Sequence, residues 1–273
     1  MENLYGLIGE KLGHTFSPQI HAKILEETHI QGHYGLFEVK KERLQFVISG
    51  LKALGYKGVN VTIPYKLDII RYLDALSPEA VKIGAVNVVS IDKNGVATGY
   101  NTDYYGFGMM LDSANVKIEK ETAVVLGTGG ASKAVTQYLK DNGIKEIILV
   151  SRDIESAKKK YPEDKIINYD ELNKIGNCSV IINCTPTGMF PNTEFSPLDK
   201  KYLNKFNTAV DLIYNPSDTL FLKEAGEKGL KTLNGLYMLA AQAVKSQEIW
   251  NETEISSTVI DSILHMITGD VYE

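Results

Sequence analysis

The sequence predicts an α/β protein in two parts, on three observations. Short β-branched runs alternate with helical patterns from Leu4 to Leu212. A strand, a glycine turn, a helix and a second strand follow one another between Thr122 and Val150, and the last helical patterns have no strand after them. Alternation of this kind builds mostly parallel sheets with helices across their faces. The chain has 273 residues, and at roughly 150 residues per domain that allows two modest domains or one large one.

In the first part, Leu4 to Gly9 reads as a strand. Ser17 and Pro18 have the N-cap and N1 pairing that opens a helix, with Ile20, Ile24 and Leu25 on its apolar face and Gly32 to stop it. Tyr34 to Val39 is a second strand. Leu44, Val47, Ile48, Leu51 and Leu54 recur at helical spacing, Gly58 to Ile63 is strand-like and ends at Pro64, and a third helix runs through Ile69, Ile70 and Leu73. Val86 to Ile91 and Val96 to Tyr100 flank Asp92-Lys93-Asn94-Gly95, whose Asn-Gly marks a hairpin. The expected sheet is therefore mostly parallel and closed by an antiparallel edge.

A helical pattern from Tyr104 leads to the second part. Its strands are expected at Thr122 to Leu126, Glu146 to Val150, Lys165 to Ile167, Val180 to Asn183 and Thr208 to Leu212, with a helix from Ala131 to Lys140. Leu236 to Trp250 and Ile255 to Ile267 then read as amphipathic helices. Lacking a sheet of their own, they must bury their apolar faces on something already built.

Composition removes several classes of function. With 44% hydrophobic residues, 23 Gly and 8 Pro, the chain is neither disordered nor collagen-like, and a net charge of -5 without a basic stripe argues against a nucleic-acid groove. No apolar run approaches the roughly 18 residues of a membrane span, and the N-terminus lacks the basic start and apolar run of a secretory signal, so the expectation is a soluble cytoplasmic protein. Cys178 and Cys184 are not arranged as a CxxC and read as free thiols. His29 and His33 have i,i+4 spacing, but Gly32 interrupts the helix and no carboxylate completes a ligand set, so no metal site is expected. His14 and His21 read as loop and helix residues near a ligand entrance. Lys158, Lys159 and Lys160 read as a solvated helix face.

The turn Gly127-Thr128-Gly129-Gly130-Ala131-Ser132 lies between a strand and a helix. Glycine lets the backbone turn tightly and approach a pyrophosphate, and the helix dipole favours its charge, so the unit reads as a Rossmann dinucleotide cradle although Ser132 takes the place of the last glycine of GxGxxG. The next strand ends at Ser151-Arg152-Asp153. Arg152 points to the 2′-phosphate of NADP rather than to NAD, while Asp153 is either a ribose ligand or the N-cap of the following helix.

Polar residues gather at three places where strands of the first part give way to loops. They are His14-Thr15-Phe16-Ser17, Asn60-Val61-Thr62 with Lys66, and Asn87 with Asn101-Thr102-Asp103. Hydroxyl and amide groups suit a polyhydroxylated ligand. Moving a hydride to or from a carbinol carbon requires a proton to join or leave its oxygen, and Lys66 with Asp103 offers a pair for that transfer. The plainer alternatives are a solvated Lys66, a helix-capping Asp103 and a helix-capping Ser17.

The ordered set HTFSP, NVTIPYK, GAVN, NTD, GTGGAS, NCTPTGM, DLIYNP and NGLYMLAAQA closely resembles that of the shikimate dehydrogenase family, from about residue 5 to residue 250. The resemblance implies an N-terminal three-layer α/β substrate domain with a mostly parallel sheet, a Rossmann NAD(P)-binding domain, and C-terminal helices that pack back on the first. The domains would be residues 1–104 plus 237–273, and residues 105–236. It further implies reversible, NADPH-dependent reduction of 3-dehydroshikimate to shikimate in aromatic amino-acid biosynthesis, by a monomer or homodimer.

By the same resemblance Lys66 and Asp103 look like the catalytic pair, and Thr15 and Ser17 like the hydroxyls that hold the substrate carboxylate. Asn60, Thr62, Asn87, Tyr214 and Gln242 resemble the other substrate contacts, and Ile213 and Gly235 resemble positions beside the nicotinamide. Five positions depart from the pattern. Thr15 stands where Ser is common, Tyr237 where a small residue is common, Ser151 and Asp153 flank Arg152 in place of Asn and Thr, and Ser156 replaces a second basic residue. Two other readings stay open: a quinate enzyme using NAD, and a non-catalytic dinucleotide sensor of the same fold.

Overall fold

The structure, a computed structural model, describes residues 2–13 and 15–271. His14, expected near a ligand entrance, lies outside the described residues. The chain forms two compact units, Met1–Gly106 with Ala240–Glu273, and Phe107–Leu239.

The first unit is built on a six-stranded sheet of β1 (Asn3–Gly9), β2 (Gly32–Glu38), β3 (Gly58–Val61), β4 (Ala75–Leu76), β5 (Val88–Ile91) and β6 (Ala97–Tyr100), in the order β2-β1-β3-β5-β6-β4. β1 runs parallel to β2 and β3, and β4 parallel to β6, so only β5 is reversed. The expected hairpin is present, but it does not close the sheet. The two-residue β4 lies outside it, and two residues are too few to show a periodic signal.

Side chains alternate across this sheet. Ile8, Val59, Val61 and Val89 face a core completed by Ile48 and Leu51 of α2 (Val47–Ala53), while Tyr5, Leu7 and Val88 face Leu25 of α1 (Ser17–Glu27) and Trp250 of α8 (Leu236–Asn251). α9 (Thr258–Val271) packs on α1. Of the strandless tail, α8 thus lies on the first sheet itself and α9 on the helix α1.

Several local expectations need correction. α1 ends at Glu27 with Thr28 as its C-cap and His29 in the left-handed region at φ +54, before Gly32 is reached; Gly32 instead opens β2. Ser17 is the first helical residue rather than the cap. Its N–H donates to the Thr15 hydroxyl at 3.2 Å, so the threonine two residues upstream performs the capping turn. The third helix is a single 3₁₀ stretch, Asp68–Tyr72, followed by an unexpected α3 (Pro78–Ile83) that has Ser77 as N-cap, Pro78 in its first turn and left-handed Gly84 (φ +65) to end it.

The second unit has an all-parallel sheet of β7 (Thr122–Leu126), β8 (Glu146–Val150), β9 (Lys165–Ile167), β10 (Cys178–Asn183), β11 (Phe206–Asp211) and β12 (Lys231–Leu233). Its order, β12-β11-β10-β7-β8-β9, is the doubly wound arrangement with its reversal between β7 and β10. Both faces are covered, as a parallel sheet requires. Ala123 and Val125 face Phe107 and Leu111 of α4 (Thr102–Ser113) and Val135 and Leu139 of α5 (Gly130–Asp141), whereas Val124 and Leu126 face Phe221 and Leu222 of α7 (Leu220–Glu227). β7 and β8 have the bounds expected from sequence, because each is a run of β-branched and aliphatic residues buried on both sides. Cys178 and Cys184 are free thiols.

Candidate active site

In the first unit, polar residues collect at the ends of β1, β3 and β6 and on α8. Lys66 lies in the turn after β3, where its carbonyl accepts from the Val86 N–H at 2.8 Å. Its ammonium reaches Asp103 in the first turn of α4 and donates to Oδ2 at 2.6 Å. The lysine and aspartate side chains are 21% and 13% exposed, so the pair is mostly, not wholly, withdrawn from water. Asp103 does not cap its helix: the carbonyl oxygen of the Asn101 side chain accepts from the Tyr104 N–H. That leaves both carboxylate oxygens for other partners. Oδ1 accepts from Asn87 Nδ2 at 2.9 Å, which fixes the plane of the carboxylate.

Asn87, itself 3% exposed, is held in turn by Thr102, whose N–H donates to Asn87 Oδ1 at 2.7 Å. The Thr102 hydroxyl points on to Gln242 Oε1 at 3.4 Å, so α8 brings Gln242 to the same cluster. Thr62 is half-buried just beyond β3, and its methyl lies where a side chain on Gly9 would have to go. Thr15 and Ser17 form a hydroxyl pair at 3.0 Å at the head of α1.

Asn60 is placed differently from its neighbours. It is 6% exposed, its oxygen accepts from the Tyr34 hydroxyl at 2.7 Å and its nitrogen donates to Ser246 Oγ at 3.1 Å. Its polar atoms are engaged inside the protein. Sequence reasoning missed Tyr34, Ser246 and Gln247, which form this supporting layer together with His21. Gln247 Nε2 lies 3.0 Å from His21 Nδ1, and the His21 ring stacks on Tyr34 at 4.0 Å. Burial pushes the His21 imidazole down to about 3 and holds the Tyr34 phenol well above its usual range. One signal was available: Gln242 and Ser246 are one helical turn apart, so they share a face.

In the second unit the glycine turn joins β7 to α5. Gly127 has φ +94, a value glycine adopts without strain, and its N–H donates to the Val150 carbonyl at 2.9 Å. A Cβ built on Gly129 or Gly130 would meet nothing within 4 Å, so the turn has an open face beside Thr128 and Ala131. The first amides of the 12-residue α5 have no intrahelical partner and are available to a pyrophosphate. Ser132 serves the turn itself: fully buried, its hydroxyl donates to the Gly129 carbonyl at 2.8 Å and pairs with the Tyr161 hydroxyl at 2.7 Å.

At the tip of β8, Ser151 is buried and donates to the Asp153 carbonyl. Arg152 is exposed. Asp153 caps α6 (Ile154–Lys160), its Oδ1 accepting from the Ser156 N–H at 2.9 Å. The aspartate is thereby the helix cap of the two alternatives the sequence left open, and the arginine beside it is exposed. Ile213 is 5% exposed and its carbonyl accepts from the Gly235 N–H at 2.9 Å; Tyr214 is half-buried and Tyr237 is half-buried on the following helix. Among the described residues no helix is long and apolar enough to cross a membrane, and no group of three His, Cys, Asp or Glu side chains could hold a metal.

A turn of this kind in a doubly wound sheet belongs to proteins that hold a dinucleotide, and a lysine hydrogen-bonded to an oriented carboxylate can move a proton to or from an oxygen. Together they define the class as NAD(P)-linked oxidoreductases. Comparison with known proteins narrows it. Residues 7–89 match the family model for the shikimate dehydrogenase substrate binding domain, and residues 110–216 match that for shikimate / quinate 5-dehydrogenase.

A shikimate dehydrogenase (NADP(+)) from Clostridium perfringens is 49% identical over 95% of this chain and 96% of its own length. The solved chorismate mutase/shikimate 5-dehydrogenase fusion protein from Clostridium acetobutylicum is also 49% identical, with a TM-score of 0.97 over 100% of both chains. A shikimate 5-dehydrogenase from Thermus thermophilus, solved with NADP(H) and shikimate, is 30% identical with a TM-score of 0.87 over 97% of this chain and 99% of its own. The chain belongs to the shikimate dehydrogenase family.

Proposed function

We propose that this protein is an NADP-dependent shikimate dehydrogenase that reduces 3-dehydroshikimate to shikimate reversibly, with Lys66 and Asp103 as its proton-transfer pair. The unit Met1–Gly106 with Ala240–Glu273 binds substrate and the unit Phe107–Leu239 binds the dinucleotide, boundaries within three residues of those expected from sequence. The observation that carries this reading is the 2.6 Å bond from Lys66 Nζ to Asp103 Oδ2, set among hydroxyls and amides at the ends of strands.

Bound NADPH supplies the hydride. The carbonyl oxygen of the substrate then needs one proton, and the Lys66 ammonium donates it; in the direction of oxidation the neutral amine takes it back. Asp103 holds the ammonium through Oδ2 and is itself held through Oδ1 by Asn87, so the donor is aimed before substrate arrives. Thr15 and Ser17 offer two hydroxyls 3.0 Å apart to the substrate carboxylate, and Thr62 and Gln242 serve its ring hydroxyls. Asn60 acts one layer back, through Tyr34 and Ser246.

The residues of the second unit fit the cofactor. Gly127, Thr128, Gly129, Gly130 and Ala131 present an open turn and helix amides to the pyrophosphate. Ser132 shapes that turn from beneath. Arg152 pairs with the 2′-phosphate and Ser151 orders the strand tip that carries it, while Ile213 and Gly235 lie at the nicotinamide end. The enzyme is read as cytoplasmic and as a monomer or homodimer.

The test is kinetic. Lys66→Met and Asp103→Asn are each expected to lower kcat by on the order of 10² to 10⁴, with NADPH binding retained in a fluorescence titration. Turnover of shikimate at near wild-type rates by both variants would refute the assignment.

A further inference from the structure

The buried groups at the carboxyl ends of β10 and β11 are not used in the proposed chemistry. Asn183 and Asp211 are the last residues of those strands and stand opposite one another in register. Both are fully buried. Asp211 Oδ2 accepts from the Thr219 hydroxyl at 2.7 Å, and Oδ1 accepts from Asn183 Nδ2 at 3.0 Å and from the Ile213 N–H at 3.1 Å.

Each partner leads to a different loop. Asn183 Oδ1 accepts from both the N–H and the hydroxyl of Thr185, at 3.0 and 2.7 Å, folding the segment after β10 into a turn. That turn lies against the glycine cradle: a Cβ on Gly127 would stand 2.7 Å from the Thr185 methyl. Ile213 passes the contact on through its carbonyl to the Gly235 N–H at 2.9 Å, and a Cβ on Gly235 would stand 2.0 Å from the Leu212 carbonyl oxygen. Thr219 caps α7, its hydroxyl accepting from the Leu222 N–H at 3.3 Å. One carboxylate therefore fixes the spacing of the cradle at Gly127, the strand end at Ile213 and the helix entry at Gly235.

We infer that Asp211 is a positioning residue for the dinucleotide, setting the distance between the backbone that receives the pyrophosphate and the backbone beside the nicotinamide. The inference rests on the reading of this unit as the NADPH-binding one. In a doubly wound sheet the ligand lies at the carboxyl ends of the strands where the order reverses, which here is β7 beside β10, the strand end that Asp211 ties to its neighbour. Burial pushes the Asp211 carboxyl up to about 6, while its three neutral donors favour the carboxylate. What the carboxylate gains is three donors from three segments held at one point.

The test uses the full chain and NADPH fluorescence titration, with thermal melting alongside. Asp211→Ala is expected to weaken NADPH binding by roughly tenfold or more, the scale of losing hydrogen bonds to a charged group, with the KM for shikimate at saturating cofactor nearly unchanged. Asp211→Asn keeps the shape, and rotation of the Thr219 hydroxyl lets it accept instead of donate, so most of the affinity returns. A purely structural role would lower the melting temperature and leave the Kd of the folded protein at the wild-type value, which overturns the inference. If Asp211→Ala does not fold, Thr219→Val decides: a Kd raised several-fold supports the inference and an unchanged Kd overturns it. Failure of the wild-type protein to bind NADPH would instead overturn the reading of the whole unit, and the inference with it.

Discussion

Protonation of a single buried histidine is expected to set the acid limit of the first unit. His21 is 1% exposed, stacked on Tyr34, and pushed by burial from 6.5 down to about 3. Its folded-state value is thus depressed: the unfolded chain takes up a proton below pH 6.5 and the folded chain does not until about pH 3. Stability from the neutral imidazole is present above pH 6.5 and is lost as the pH falls from there toward 3. Two pH units below the ordinary value, at pH 4.5, the loss amounts to about 3 kcal/mol at roughly 1.4 kcal/mol per unit.

The perturbation is His21→Asn, which removes the titrating group and keeps an amide in reach of Gln247. Lost stacking will lower stability at every pH, so the quantity to compare is the change between pH 8 and pH 4.5. Trp250 is the sole tryptophan, lies in the same unit, and its ring is 5.4 Å from His21. Its fluorescence during urea unfolding reports on this unit even where the two units do not melt together. Wild type should lose about 3 kcal/mol more than the variant over that range. Parallel losses in the two proteins would refute the reasoning, because the imidazole would then be exchanging its proton equally well in the folded state.

Three further outcomes are expected. Arg152→Ala should raise the KM for NADPH by about 10- to 100-fold, the scale of a charge-assisted phosphate contact, and leave that for NADH unchanged; equal effects on both would remove Arg152 from the 2′-phosphate. Gly58→Ala places a Cβ 2.1 Å from Trp250 Nε1 and 2.5 Å from the Val89 carbonyl, displacing the 3.0 Å bond between those two groups. A loss of about 1–3 kcal/mol or more should appear in thermal melts, and an unchanged melting temperature would contradict the packing. Thr15→Ser removes one methyl beside the proposed carboxylate site and should raise kcat/KM for quinate relative to shikimate by up to about tenfold, whereas an unchanged ratio would mean that the methyl faces away from the ligand.

Strands β7 and β8 could be read to the residue because their sequences, TAVVL and EIILV, carry a continuous apolar run bounded by turn residues. Lys66, Asp103, Asn87 and Gln242 could be singled out from motif order, and they come together in one cluster. The roles of Ser132, Asp153 and Asn60 could not be read in the same way. A serine after a glycine turn, an aspartate after an arginine and an asparagine at a strand end are each equally suited to a ligand or to the backbone. The choice depends on which partner comes within about 3 Å, and for two of them the partners are distant in sequence, Tyr161 for Ser132 and Tyr34 and Ser246 for Asn60, while Asp153 meets the Ser156 N–H three residues on.

By itself the sequence determined what local interactions decide. Helical and strand periodicity follows from which residues can bury one face, and the need for glycine at 127 follows from a backbone angle. Only the tertiary structure decided which polar groups are engaged and which are open. Asp103 is released from capping by Asn101 and turned toward Lys66, Asn60 is engaged by Tyr34 and Ser246, and Asp211 is buried where three loops converge. A hydrogen bond joins whatever the fold brings together, at separations that no window along the chain spans, and that is why residue types alone left these roles undecided.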